Sequence, residues 1–323
     1  MSTPAALDRG KIRLAVIIVS FNTREITLRC LKTLFAALGS TPQVESEVWV
    51  VDNASHDGSV AATESEFPDV RVIANSENHG FGKANNQAMK SSDAEYFLLL
   101  NSDAFIIGDA IGVLLRYLQA HSEVAIVGPQ LLNRDGTLQA SCWKFPSPSR
   151  VWLENLGIAS LFPHTSSFGD YFKWAHDSER DVDFVSGACF LIRREDYQKT
   201  GGFDEDFALY AEETDWQKRL TKRGRKIAFT PDAKVTHLGG ASGGGTAITK
   251  RKFFDGLDIY TRKHHGVAGV LLMRAGMIIG SGARAILWTG LGILPSRRVA
   301  AREKLQLHWW LLLRQATHWK WPS

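Results

Sequence analysis

The chain has 323 residues, 44% hydrophobic and 22% charged, the composition of one large globular domain or of a domain with an appendage. Its three cysteines, Cys30, Cys142 and Cys189, lie far apart and match neither a paired disulfide framework nor a C-x-x-C site. A reducing compartment is therefore expected and structural zinc is not. Met1 to Arg9 holds no apolar core of a signal peptide, and no run of about 18 apolar residues occurs, which argues against a secretory signal and a conventional membrane span. A cytoplasmic start is expected.

The net charge of +4 conceals a segregation. From Lys250 onward there are 13 Lys and Arg against Asp255, Asp258 and Glu303, while the preceding residues carry 25 basic and 31 acidic side chains. An acidic front with a basic tail implies two jobs. Five of the ten tryptophans, Trp288, Trp309, Trp310, Trp319 and Trp321, also fall in that tail.

Leu14 to Val19 is a continuous β-branched apolar run, the pattern of a strand buried on both faces of a parallel sheet. Leu28, Leu31, Leu34, Phe35 and Leu38 recur at helical spacing until Gly39. Strands are predicted at Val48 to Val51, Val70 to Ala74, Tyr96 to Leu100 and Val124 to Val127, with helices at Gly82 to Lys90 and Asp109 to Ala120. This alternation predicts an α/β fold, a doubly wound and mostly parallel sheet whose ligands sit beyond the carboxyl ends of the strands. Leu131 to Asp181 reads as irregular, with Pro146, Pro148 and Pro163 among Trp143, Trp152, Phe162, Phe168, Tyr171 and Trp174. A strand over Val182 to Arg193, a helix near Glu213 to Arg223 and short strands at Ile227 to Phe229 and Val235 to His237 follow. Gly239 to Gly245, with five glycines in seven residues, reads as a loop or hinge.

Three strand ends carry unusual polar clusters: Ser20-Phe21-Asn22, Asp52-Asn53-Ala54-Ser55 and Asn101-Ser102-Asp103. Between the last two lies Asn78-His79-Gly80-Phe81-Gly82-Lys83, a glycine-containing turn that opens a helix and offers free backbone N–H groups and a lysine to an anion. Each alone is an ordinary turn or cap. Together they converge on one sheet edge.

With Val185-Ser186-Gly187-Ala188-Cys189, Gly202-Phe203-Asp204-Glu205, Glu212-Glu213-Thr214-Asp215-Trp216 and His237-Leu238-Gly239-Gly240 in the same order downstream, the sequence resembles family 2 glycosyltransferases of the GT-A fold, in the rhamnosyltransferase-like bacterial branch. The resemblance covers about Leu14 to His265. It implies a catalytic domain over 1–249, with a nucleotide-binding half near 12–128 and an acceptor-binding half near 129–249, followed by a helical extension over 250–323. It also implies nucleotide-sugar contacts from Ser20, Phe21, Asn22, Asp52, Asn78, Gly80, Lys83, Asn101 and Ser102. A carboxylate at Asp52 can accept the imide N–H of uracil or thymine, which cytosine lacks, so a UDP or dTDP donor is expected.

The family's D-x-D metal motif here keeps only Asp103. One carboxylate with two phosphates can still hold Mg²⁺ or Mn²⁺. The resemblance places His237 near the diphosphate as a second ligand, where imidazole suits Mn²⁺ better. Glu213 is the expected general base, at a position where the family usually has Asp. Glu212, about 100° away around the helix, cannot face the site equally, and Asp215 is the third acidic candidate, more suited to capping or supporting the helix. The acidic cluster could equally favour a helix N-terminus, and the aromatics from Trp143 to Trp174 could stack on an acceptor sugar or fill a core.

In the tail, apolar clusters are interrupted by Arg262, Lys263, Arg274, Arg284, Arg297 and Arg298. Three readings compete: an interfacial anchor on anionic lipid, a dimerisation bundle, or a helical cap. No nucleic-acid motif accompanies the charge, so nucleic acid is not an expected partner. The expected activity is inverting, metal-dependent transfer of a sugar, best rhamnose, from dTDP or UDP to a lipid-linked or polysaccharide acceptor, on the inner face of the cell membrane. A sugar nucleotidyltransferase and a catalytically degenerate binding or scaffolding subunit are the rivals.

Overall fold

Leu14, Ala15, Val16, Ile17 and Ile18 form the centre of β1 (Ile12–Ser20) and are completely buried, as a β-branched run flanked on both edges and both faces must be. The computed structural model describes residues 11–156, 174–207, 209–239 and 246–317. The glycine run from Gly240, the aromatics Phe162, Phe168 and Tyr171, and Trp319 and Trp321 lie outside the described residues.

From β1 the chain runs through α1 (Arg24–Gly39), β2 (Val44–Asp52), α2 (Ser59–Glu66), β3 (Arg71–Ala74), α3 (Gly80–Lys90) and β4 (Tyr96–Asn101). Then follow β5 (Ala104–Ile107), α4 (Ala110–Ala120), β6 (Val124–Leu132), β7 (Leu138–Gln139), β8 (Cys142–Trp143), α5 (Pro148–Asn155), β9 (Arg180–Val182) and β10 (Phe184–Val185). The remaining elements are β11 (Cys189–Arg193), α6 (Arg194–Thr200), α7 (Glu212–Thr221), β12 (Lys226–His237), α8 (Thr246–Leu291) and α9 (Arg298–Thr317).

The main sheet has the order β3-β2-β1-β4-β11-β6-β12-β5, with β7 added to β6 and β9 to β12. β1 is parallel to β2 and β4, and β2 to β3, while β11 runs antiparallel between β4 and β6. The expected doubly wound, mostly parallel sheet is therefore present. Its switch point lies between β1 and β4, where the chain, having moved outward to β3, returns to the other side of β1. Ligands of such sheets bind there, beyond the carboxyl ends.

Several elements depart from their sequence expectation. The run Val182 to Arg193 is three strands, because Ser186-Gly187-Ala188 turns the chain between sheets. The two short strands expected at Ile227 and Val235 are one strand, β12, with a register shift between Thr230 and Lys234. The irregular stretch contains α5, whose Ser147 caps it by accepting from the Arg150 N–H, with Pro148 in the first turn.

The chain divides into two compact units, Met1–Trp143 with Ala175–Phe253, and Lys144–Trp174 with Phe254–Ser323. This differs from the linear split expected near residue 249, since Lys144–Trp174 joins the tail. The reason is side-chain chemistry: Trp152 Nε1 donates to the Leu272 carbonyl at 2.8 Å, Arg284 to Asn155 Oδ1 at 2.8 Å, and Val151 packs with Leu257 and Met273. Within this unit Arg251–Leu291 of α8 is long and apolar enough to cross a membrane, with mean hydropathy 1.5 over its best window. The helix thus passes a test its interrupted sequence was expected to fail, although Gly266, at φ 66°, breaks it.

In the sheet unit, Gly82 at the start of α3 presses on Phe203, which in turn lies 4.7 Å from Trp216, a ring that is completely buried. A Cβ at Gly82 would meet Phe203 Cβ at 2.9 Å. Overpacking of about 1–3 kcal/mol outweighs the helix-propensity gain of about 1 kcal/mol. Gly82→Ala should therefore lower the denaturant midpoint without changing the m-value.

Candidate active site

Pairing register assembles the sheet edge. Ser20 lies opposite Asp52, Val19 opposite Asn101, and Asp52 opposite Ala74, so β1, β2 and β4 end together. A ladder of this kind leaves the polar residues after each strand side by side.

Asp52 is 2% exposed. Its Oδ1 accepts the Ser55 N–H at 2.8 Å, while its Oδ2 is buried without a hydrogen-bond partner. A buried, unmatched carboxylate oxygen costs several kcal/mol unless something donates to it. Asn22, at φ 51°, ties the loops together: its N–H donates to Ser55 Oγ and its Oδ1 accepts from the His56 N–H, both at 2.8 Å. Phe21 beside it is half-buried.

Ser20 and Ser102 are both buried, and their side chains point into a hydroxyl cluster. Ser20 Oγ lies 3.3 Å from Thr23 Oγ1 and 3.2 Å from Thr27 Oγ1, and Thr23 donates to Ser102 Oγ at 3.3 Å. These two serines were expected to contact the nucleotide sugar. Their hydroxyls join the ends of β1 and β4 through Thr23 and Thr27.

The turn into α3 is closed by Asn78 Oδ1 accepting the Gly80 N–H at 2.9 Å, with Gly80 at φ 78°. His79 at the N-cap makes no side-chain cap bond, so beyond the Gly80 N–H the start of the helix is not capped by a side chain, and Lys83 stands one turn along. Asn53 Nδ2 donates to the Gly80 carbonyl at 3.0 Å and anchors this turn to the end of β2.

The Asp103 and His237 pair is set by the antiparallel register of β5 and β12, in which Ala104 faces His237 and the Leu238 N–H donates to the Asp103 carbonyl at 3.0 Å. Asp103 Oδ1 lies 3.3 Å from His237 Nε2, and Asn101 Nδ2 lies 3.4 Å from the same nitrogen. His237 Nδ1 is 2.7 Å from Gln139 Oε1. The orientation of that amide is fixed, because Gln139 Nε2 donates to Asn133 Oδ1 at 3.0 Å and to the His237 carbonyl at 3.2 Å. Nδ1 therefore carries the proton in the neutral ring and Nε2 presents a lone pair toward Asp103. Two acceptors at that separation repel unless a proton or a cation lies between them. Gln139 was missed in the sequence because nothing local marks it: it acts through a partner 98 positions away.

Glu212 and Glu213 begin α7, after Tyr210 and Ala211, both in left-handed conformations at φ 69° that non-glycine residues rarely adopt. Burial pushes both carboxyls above their ordinary range, and Glu212 is pushed further because the Glu213 carboxylate stands beside it. Backbone N–H groups of Glu213, Thr214 and Gly187 act the other way on Glu213. The two carboxyls therefore titrate as a pair, and both hold a proton more tightly than an exposed glutamate does. Each also holds one buried oxygen without a partner. Glu213 packs on Gly187, beside Phe81 of the α3 turn.

Asp215 stands apart from this pair. It is completely buried and its Oδ2 accepts from Arg219 Nε at 2.8 Å, while Arg219 reaches on to the Thr200 and Gly202 carbonyls. With Arg219 it fastens α7 to the end of α6, the supporting role expected of it. Of the aromatics expected either to stack on an acceptor or to fill a core, Trp143 stacks on Phe184 at 5.6 Å and Trp152 packs on Gly276, and both rings are partly exposed.

Gln139→Leu would leave the Nδ1–H of His237 without its acceptor, at a cost of about 1–3 kcal/mol. Ring-nitrogen NMR of His237 should then change from one tautomer to a mixture, with a lower melting temperature.

The family model "Glycosyl transferase family 2" matches residues 15–201. The N-acetylglucosaminyl-diphospho-decaprenol L-rhamnosyltransferase of Mycobacterium tuberculosis is 28% identical over 219 residues, 64% of this chain and 71% of that protein. Rhamnosyltransferase WbbL of Escherichia coli is 27% identical over 171 residues, 49% of this chain and 61% of the relative. Among solved structures, the mannosyltransferase PcManGT of Pyrobaculum calidifontis, in complex with GDP-Man and Mn²⁺, superposes with a TM-score of 0.57 at 16% identity, covering 96% of this chain and 88% of that one. The fold is GT-A, and the chain belongs to glycosyl transferase family 2.

Proposed function

We propose that the chain is an inverting, metal-dependent glycosyltransferase that moves a sugar, rhamnose first among the choices, from a dTDP- or UDP-sugar to a lipid-linked or polysaccharide acceptor in cell-envelope glycan synthesis. The observation that carries this reading is the approach of Asp103 Oδ1 to His237 Nε2 at 3.3 Å, with the other ring nitrogen held by Gln139. The likeness to rhamnosyltransferases supports the choice of sugar and acceptor class.

The donor set fits a divalent cation. Asp103 and His237 would hold Mn²⁺ or Mg²⁺, and imidazole favours Mn²⁺. Among the described residues no third His, Cys, Asp or Glu joins them, so diphosphate oxygens and water would supply the remaining ligands. When bound, the ion neutralises charge on the leaving diphosphate. The base of the donor is read by Asp52, whose buried Oδ2 accepts the imide N–H of uracil or thymine. The diphosphate lies against the α3 turn, where backbone amides and Lys83 favour an anion, and Asn22 and Asn101 line the remaining edge. Glu213 takes the proton of the acceptor hydroxyl as its oxygen bonds to the anomeric carbon, while the carbon–phosphate oxygen bond breaks on the opposite face and its electron pair leaves on the diphosphate. Glu212 stays protonated beside it. The basic helical unit holds the enzyme to anionic lipid on the cytoplasmic face of the membrane.

A second reading, a degenerate nucleotide-sugar-binding or scaffolding subunit, draws on the same two-ligand site. A thermal-shift panel of UDP, dTDP, GDP and CDP with Mn²⁺, read beside donor turnover, separates the two. Ligand at about 100 times its dissociation constant stabilises by about 2.7 kcal/mol. Stabilisation by UDP or dTDP with turnover supports the enzyme, and the same stabilisation without turnover supports the subunit. Asp103→Ala should remove the metal dependence of nucleotide binding and abolish transfer.

Glu213→Gln should cut turnover by roughly 10²- to 10⁴-fold with donor affinity unchanged. Because the acting carboxyl is raised, the acid limb of the rate profile should lie above the ordinary carboxylate range, activity rising with pH through it. Glu212→Gln mimics the protonated neighbour and should leave that limb in place. Both groups bind protons more tightly folded than unfolded, so stability falls as pH rises from about 4.5 through their folded values. Glu212→Gln should flatten that decline. A larger turnover loss for Glu212→Gln than for Glu213→Gln would move the base to Glu212.

A further inference from the structure

Helix α9 turns part of its charge inward. It buries Arg314, Gln315 and His308, while Val299 is 77%, Leu313 60% and Trp309 57% exposed. A helix facing water does the reverse. Its buried charge is paired in part within the unit: Arg314 donates to Asp255 at 2.7 Å and to Asp258 at 3.2 Å, and Arg274 of α8 donates to Asp258 at 3.1 Å. Of the sixteen exposed large apolar side chains among the described residues, thirteen belong to this helical unit. Paired charge turned inward and apolar surface turned outward is the arrangement stable against hydrocarbon.

The end of α8 and the length of α9 form an open groove of about 810 Å³. Ile293, Leu305, Trp309 and Leu313 line it, and Arg298 and Arg302 stand exposed among its lining residues. Arg298, Arg302, Leu305, Trp309 and Leu313 recur at steps of four, three, four and four, so one helix face carries two guanidinium groups at one end and apolar rings and chains below. Among the described residues neither arginine has a carboxylate at ion-pair distance. A volume of this size is that of a small-molecule site.

We infer that this groove binds one anionic membrane phospholipid, its phosphate on Arg298 and Arg302 and an acyl chain along Ile293, Leu305, Trp309 and Leu313. Charge selects this occupant over a second copy of the chain, because the tail carries 13 basic and three acidic residues and would repel its own image. The inference deepens the membrane association proposed above and rests on it for its biological setting.

The test uses the full chain and tryptophan fluorescence, with soluble dihexanoyl phosphatidylglycerol, dihexanoyl phosphatidylcholine and inorganic phosphate as separate probes. Saturable binding of phosphatidylglycerol is expected, at least tenfold tighter than either other probe. Arg298→Gln with Arg302→Gln should weaken it roughly 30-fold, as loss of two cations near an anionic headgroup dictates. Leu313→Asp should weaken both lipids. Phosphate binding as tight as the lipid, unchanged affinity in the double arginine variant, or lipid-free self-association that shields Trp309 would each overturn the groove. Co-sedimentation with phosphatidylcholine vesicles, with and without phosphatidylglycerol, tests the membrane reading separately. Vesicle binding without soluble-lipid binding sinks the groove alone, and soluble-lipid binding without vesicle binding sinks the membrane association alone.

Discussion

Parallel in-register pairing of β1 with β2 and β4 is the constraint on which the site depends. Because Ser20, Asp52 and Asn101 end their strands at matched positions, three loops emerge from one edge and the α3 turn falls beside them. The hydrophobic burial that drives this ladder is large: each fully buried Leu, Ile or Val contributes about 1.5–3 kcal/mol, and Leu14 to Ile18 are buried without exception. A shift of one residue in β1 would turn every such side chain to the opposite face and separate the polar ends. The fold and the candidate site are therefore stabilised by the same contacts.

The acidic end of the site is built differently. Glu212 and Glu213 are held against solvation by Gly82, Phe203 and Gly187, and their partly unmatched oxygens are a standing cost to stability. Two left-handed residues in succession add strain just ahead of them. A protein maintains such a pair only where the surrounding packing over-determines it, here through Trp216, Phe203 and the Asp215 and Arg219 ion pair. Burial raises both carboxyls, while backbone N–H groups act the other way on each.

The helical unit follows a third logic. It buries two paired arginines, Arg274 and Arg314, while many of its large apolar side chains face outward. The ion pairs among Arg274, Asp255, Asp258 and Arg314 satisfy groups whose burial would otherwise be prohibitive. Composition alone resembles an ordinary amphipathic tail; burial reverses it.

Much was legible in the sequence. The β-branched run at Leu14, the alternation of strands and helices and the polar clusters at strand ends identify the sheet and its functional edge, because period and punctuation are local properties of the chain. The ordered motifs from Asp52 to His237 bring with them the family. The tertiary structure alone decided what each polar residue does: Ser20 and Ser102 turn inward to hydroxyl partners, Asp215 is consumed by Arg219, and Gln139 orients His237 across 98 positions. It also decided that Lys144–Trp174 belongs with the tail, and that α9 buries its arginine and exposes its tryptophan. These facts depend on which side chains meet at long sequence separation. Local pattern specifies the elements, and only packing specifies their partners.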